Sequence, residues 1–309
     1  MVQIVNLVKQ YGKHLAVNNL NLTIPGGSIF GFVGPNGAGK TTTMKIMVGL
    51  LTATCGSVLV DDVDIIKNER ARSKTIGYMP DFFGVYDNLK VDEYIDFYAD
   101  AYRIPYRERA ALIGNLLELV DLTHKKDSYV DALSRGMKQR LCLARSMIHD
   151  PDVLVLDEPA SGLDPRARIE MKEILKQLRQ LGKSVIISSH ILTELAEMCT
   201  SLAIIDQGRV TATGSISDIM RTLQQKRVIY VKPLDKIGVL LLLLRENPAV
   251  AGVVENAEDV EFHFNGSEAA LAALLKEMVS REIPIISFRE KEGNLEEIFM
   301  TLTGGGTPA

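Results

Sequence analysis

The sequence predicts an α/β fold built on a mostly parallel sheet with helices on its faces, followed by a smaller α+β unit of ferredoxin-like order. Three observations carry this expectation. Short apolar runs rich in β-branched residues alternate with helical patterns through the first part of the chain. A glycine-rich stretch, GPNGAGKTT, lies where one such run hands over to a helix. After Gln225 the texture becomes strand, helix, two strands, helix, strand.

Taken in order, SIFGFV (28–33) reads as a strand and TTMKIMVGLL, after the glycine loop, as a helix. From about Val91 to Leu122 the sequence is helical and carries Tyr94, Tyr98, Tyr102 and Tyr106 at four-residue intervals, a stripe that reads as packing. In ALSRGMKQRL, Ser134 is a good N-cap, and Met137, Leu141, Ala144 and Ile148 follow at helical spacing. A helix therefore begins there with free N–H groups able to hold an anion. VLVL (153–156) and SVIIS (184–188) are continuous apolar runs, as expected of strands buried on both faces. Between them, RARIEMKEILKQLRQLG sets Ile169, Ile174, Leu175, Leu178 and Leu181 near one helical face and stops at Gly182, which completes a βαβ unit. The expected organisation is a domain over 1–225 with a helical subdomain at about 88–150, a small α+β domain over 226–303, and a frayed tail at 304–309.

Composition narrows the function. The 309 residues, 46% apolar and 24% charged, suit a globular protein, and a net charge of −4 offers no basic face, so direct nucleic-acid binding is not expected. Cys55, Cys142 and Cys199 lack metal or disulfide spacing and read as packing residues in a reducing compartment. The N-terminal stretch lacks a signal-peptide pattern, and the apolar run VLLLLL falls far short of the roughly 18 residues of a membrane span. The expectation is a cytoplasmic protein whose membrane role, if any, needs a partner.

Two motifs carry chemistry directly. GPNGAGKT fits G-x-x-x-x-G-K-[ST] between a strand and a helix. Its glycines let backbone N–H groups turn around phosphate oxygens, Lys40 reaches the β- and γ-phosphates, and Thr41 holds Mg²⁺. In LVLDEP a buried strand ends in two carboxylates at the edge where α/β sheets bind ligands. Asp157 suits an Mg²⁺ shell, and Glu158 is placed to polarise a water for in-line attack. IISSH brings His190 to a strand end as a candidate γ-phosphate sensor.

The order Tyr11, GPNGAGKTT, YMPD, LSRGMKQRL, LVLDEP, SGLDP and SSH resembles the nucleotide-binding subunit of an ATP-binding cassette (ABC) transporter, over about the first 210 residues. The resemblance implies a P-loop NTPase core of the ABC ATPase kind. It also implies that Tyr11 stacks on adenine and that Gly34, Pro35, Asn36, Gly37, Ala38, Gly39, Lys40, Thr41 and Thr42 surround the phosphates of ATP. Ser134 and Gly136 then touch the γ-phosphate of ATP on the opposite subunit of a head-to-tail homodimer, and Asp164 carries signals across it. It further implies a peripheral location on the inner face of the cell membrane against an integral membrane permease. The C-terminal part, ending in NLEEIFMTLTGG, is similar to extensions on ABC-2 type exporter subunits.

The sequence departs from that pattern in two places. LSRGMKQ has Arg135 and Met137 where many members have glycine and glutamine. YMPD has Asp81 where a glutamine usually contacts Mg²⁺ or the attacking water. Aspartate reaches about 1.5 Å less, and at around 5 Å from a γ-phosphate it would meet roughly 3 kcal/mol of repulsion at an effective dielectric of 20, so it is expected to act through Mg²⁺ or a bridging water. Phe82, Phe83 and Tyr86 read either as a docking patch for the membrane subunit or as local core. Two competing readings are a soluble ABC-family ATPase acting on ribosomes or nucleic acid, and a small-molecule kinase or GTPase. The first commonly carries two cassettes or a coiled-coil insertion, and the second leaves SRG, SGLDP and SSH unexplained.

Overall fold

The computed structural model describes residues 1–81, 84, 88–223, 227–256 and 259–290. Phe82, Phe83, Tyr86, the NLEEIFMTLTGG stretch and the tail at 304–309 lie outside these described residues.

The chain runs β1 (Val2–Tyr11), β2 (His14–Ile24), β3 (Ile29–Val33), α1 (Lys40–Met47), β4 (Cys55–Val60), β5 (Val63–Asp64), α2 (Glu69–Thr75) and β6 (Ile76–Met79). Then follow α3 (Val91–Ala101), α4 (Tyr106–Leu119), α5 (Arg135–Ser146), β7 (Val153–Asp157), α6 (Pro165–Gln180), β8 (Ser184–Ser189), α7 (Leu192–Met198), β9 (Ser201–Asp206), β10 (Arg209–Ser215) and α8 (Ile216–Leu223). The remainder is β11 (Arg227–Pro233), α9 (Ile237–Glu246), β12 (Val250–Glu255), β13 (Val260–Phe264), α10 (Glu268–Ser280) and β14 (Ile285–Glu290). The chain forms two compact units that divide between Ile216 and Ser217, so the boundary expected at 225 falls just beyond α8.

In the first unit a sheet of order β10-β9-β3-β8-β7-β6 is parallel except for its β10 edge. Strands β3, β7 and β8 are buried along their whole length, as their unbroken apolar runs require. Because β3, β8, β7 and β6 are adjacent and point the same way, their carboxyl ends bring the glycine loop, His190, Asp157–Glu158 and Asp81 to one edge. A second, antiparallel sheet of order β2-β1-β4-β5 was not visible in the sequence reading. Its inward residues Ile4, Leu20 and Val58 share one core with Phe30 and Phe32 of β3 and Met44 of α1.

Some expected faces are narrower than the periodicity suggested. In α6 the buried stripe is Ala167, Met171, Ile174, Leu175 and Leu178, whereas Ile169 and Leu181 are exposed. Ile169 lies on the far side at 100° per residue, and Leu181 already caps the helix end. The tyrosine stripe also divides. Tyr94 is fully buried and Tyr98 half-buried, but α3 ends at Ala101, so Tyr102 and Tyr106 fall outside its packed face and are exposed. Cys55 is exposed at the start of β4, not packed. Burial pushes the thiols of Cys142 and Cys199 up, to about 11 and about 12, which leaves them protonated and unreactive.

The second unit has strand order β12-β13-β11-β14, all antiparallel, with a core of its own that includes Leu240, Phe262, Phe264, Leu274 and Met278. Counted within the unit this is the order 2-3-1-4 of a ferredoxin-like β-α-β-β-α-β sheet.

Candidate functional site

The site begins with the turn between β3 and α1. Gly39 sits at φ 103° as the N-cap of α1, and a Cβ there would come 2.5 Å from the Ala16 carbonyl oxygen. Only glycine fits both demands. The loop so formed wraps the Lys40 ammonium, which donates to the Gly34 and Pro35 carbonyls at 2.6 and 3.1 Å. Burial lowers the Lys40 pKa, and the carboxylates of Glu158 and Asp157 work against that shift. A buried cation at a helix N-terminus is thus in place for phosphate.

Strand β7 delivers the acids. Asp157 accepts from Ser188 Oγ at 2.5 Å and from Thr41 Oγ1 at 3.2 Å, a consequence of β7 and β8 running in register with Asp157 beside Ser188. Glu158 then turns out of the strand at φ 51°, its N–H held by Ser188 Oγ at 2.9 Å. Its carboxylate meets His190 Nδ1 at 3.0 and 3.1 Å. Burial raises the Glu158 pKa, and the His190 contact, followed by Lys40, pulls it back. Glu158 is therefore a carboxylate of strengthened basicity beside a cation.

One cleft of about 460 Å³ gathers Tyr11, Asn36 to Thr42, Asp81, Glu158 and His190. His14 and Ser161 also line it; an isolated histidine on a surface strand has no pattern of its own, and Ser161 was legible only as the first residue of the SGLDP run. Ser188 was legible only as part of the SSH run. Ser134, Gly136 and Asp164 do not join this cleft. They line a separate one of about 330 Å³ at the start of α5 and α6.

That second face is built as tightly as the first. Ser134 caps α5, its Oγ accepting from the Met137 N–H at 3.3 Å. Asp164 caps α6 through the Ala167 N–H at 2.8 Å. A Cβ on Gly136 would stand 2.9 Å from Ala167 Cβ, so glycine is what lets the two helix starts approach. Gln139 donates to the Ser161 carbonyl at 3.1 Å and so ties α5 to the turn that follows Glu158.

Sequence relatives decide the family. Residues 17–161 match the ABC transporter profile, and 214–303 match that of the ATP-binding protein DrrA1-3-like C-terminal domain. The linearmycin resistance ATP-binding protein LnrL of Bacillus subtilis (strain 168) is 31% identical over 306 residues, 98% of each chain. The chain belongs to the ABC transporter family. The Nod factor export ATP-binding protein I of Burkholderia orbicola (strain AU 1054) is 34% identical, over 97% of this chain and 95% of its own. Among solved structures, an ATP-binding subunit of an ABC transporter matches with a TM-score of 0.64 at 26% identity, covering 72% of this chain and 93% of its own. A dimeric bacterial ABC transporter cassette matches with a TM-score of 0.63 at 25% identity, covering 70% and 99%.

As an ABC ATP-binding subunit, the protein binds and hydrolyses ATP on the fold seen here. Subunits of this family dimerise and work with a membrane permease. Among the described residues no helix of this subunit is long and apolar enough to cross a membrane.

Proposed function

We propose that this ABC subunit closes as a homodimer around two MgATP molecules and uses their hydrolysis to drive a separate permease in export from the inner face of the membrane. The observation that carries the reading is the separation of the two phosphate-competent faces. The phosphate loop and Glu158 line one cleft, while Ser134 and Gly136 line another. Two copies placed head to tail would use each face once per nucleotide. The export names of the Nod factor relatives and the resistance name of LnrL support the direction.

The donor set fits magnesium. Thr41 Oγ1 and Asp157 Oδ1 lie 3.2 Å apart, hard oxygen ligands beside a phosphate loop, which suits an ion that takes one or two protein oxygens and completes its shell with phosphate and water. Held there by Thr41 and Asp157, the ion would supply positive charge to offset that of the phosphate oxygens. Tyr11, exposed at the mouth of the cleft, offers its ring to adenine. Lys40 holds the phosphates, and Glu158 takes a proton from the attacking water. His190, whose Nδ1 sits against Glu158, offers an Nε2–H donor to a γ-phosphate oxygen. Asp81 lines the same cleft and acts through the ion or a bridging water. Asp164 relays closure between copies. In this reading Phe82, Phe83 and Tyr86 dock the permease.

The test is to purify the tagged protein from detergent-solubilised membranes of its native host with ATP present and identify the bound proteins by mass spectrometry. A multi-span membrane protein in near-equal amount supports the transporter subunit. Ribosomal or DNA-repair proteins without a membrane partner would favour a soluble ATPase instead.

A further inference from the structure

The α5 face carries a cation that the reading above leaves unused. Arg135 is the first residue of α5, between Ser134 and Gly136, and is exposed. Its guanidinium rests on the backbone of Gly162, in the turn between Glu158 and Asp164. A Cβ on that glycine would lie 2.5 Å from Arg135 Cζ and 2.6 Å from Nη1. Gly162 is at φ 66°, so the left-handed turn that only glycine enters easily also leaves a flat seat for the guanidinium plane.

The neighbouring arginines are already committed. Arg140 pairs with Asp121 and Glu170, Arg166 with Glu170, and Arg168 with Glu194. Among the described residues Arg135 has no carboxylate within ion-pair distance. It is thus a guanidinium seated at the Gly162 turn, beside the cleft that Ser134 and Gly136 line, and it follows Ser134 and precedes Gly136 in the chain. Its planar fork matches phosphate oxygens in pairs, which a backbone N–H alone cannot do.

We propose that Arg135 contacts the terminal phosphate of ATP held by the opposing copy, so that closure of the dimer depends on a third, cationic contact beside Ser134 and Gly136. This rests on the head-to-tail dimer proposed above. A guanidinium here also makes closure sensitive to ionic strength, because a contact made at an exposed face is screened until the dimer shuts. The turn beneath Arg135 leads from Glu158, so the contact would link the partner's γ-phosphate to the position of this copy's own base.

The experiment uses the full chain carrying Glu158→Gln, to retain ATP, with Arg135 intact or replaced by Gln or Lys. Dimer fraction is followed by light scattering on a sizing column, against ATP concentration at several NaCl concentrations. The expected result is that Arg135→Gln needs about tenfold more ATP to dimerise, with a weaker salt dependence, and that Arg135→Lys, which keeps the charge but not the planar fork, recovers only part of the loss. A brace that merely supported the turn would not change the salt dependence. If the parent dimerises and Arg135→Gln does so at the same ATP concentration and salt response, the Arg135 contact is overturned while the dimer stands. If the parent stays monomeric at every ATP concentration, the dimer and the contact fall together. Melting temperatures of the exposed-site variants are expected to match the parent.

Discussion

Glu158 concentrates the chemistry of the site in one residue. Its backbone is left-handed at φ 51°, its carboxylate is mostly shielded, with 14% exposure, and His190 lies 3.0 Å away. Replacing it with glutamine is expected to keep ATP binding and lower hydrolysis by about 10²-fold or more, the range of a lost general base, measured by phosphate release. The pH dependence follows from burial, which raises the carboxyl pKa. The basic form is lost as pH falls through that raised value, so hydrolysis declines at a higher pH than an exposed glutamate would give. For stability the sign is the reverse of the usual carboxylate case. Between the unfolded and the raised folded pKa the folded state binds more protons, so ionising Glu158 costs stability as pH rises. Glu158→Gln removes that cost, and its melting-temperature advantage should shrink in acid. Asp81 is the second residue to test. Asp81→Gln is expected to leave nucleotide affinity within about twofold while changing the hydrolysis rate by several-fold or more. Unchanged kinetics with and without the permease would remove Asp81 from the reaction.

At the scale of elements, the position of Asp81 depends on how β6 meets α5. A Cβ on Gly77 would fall 2.2 Å from the Ser146 carbonyl oxygen and 2.8 Å from Leu154 Cδ2, so strand and helix end touch backbone to side-chain position with no slack. Gly77→Ala is expected to destabilise the first unit by about 1–3 kcal/mol through overpacking, read by chemical denaturation, and to displace Asp81 with the strand. The periodic signals of β7, β8 and α6 were legible because a strand buried on both faces, or a helix with one packed stripe, writes its environment into consecutive residues. Strands β1, β2 and β4 were not. Their half-exposed alternation is interrupted by bulges, such as the register shifts between Ile4 and Leu7 and between Val5 and Val8, and a broken period of two is hard to tell from a loop. The exposed Ile169 shows the opposite error, an apolar residue counted into a stripe it does not share.

For the whole molecule, each compact unit has its own core. Phe262, fully buried in the second, provides a clean test. Phe262→Ala is expected to cost that unit about 3–5 kcal/mol, exposing it to limited proteolysis, while ATP affinity of the first unit is unchanged. A loss of nucleotide binding would mean that the two cores melt together. The sequence by itself determined the α/β fold class, the phosphate loop, the two acids and the histidine, because each is a local pattern whose chemistry is set by spacing along the chain, and the order of the motifs carried the resemblance to ABC subunits. It also carried Ser134 and Gly136 as a second phosphate-competent helix start. Only the tertiary structure decided what those patterns share. Strand order puts Glu158, His190 and Asp81 in the cleft of the phosphate loop, and the packing of α5 on α6 holds Ser134, Gly136 and Asp164 in another. Strand adjacency and helix packing arise from contacts between residues far apart in sequence, which no local period encodes.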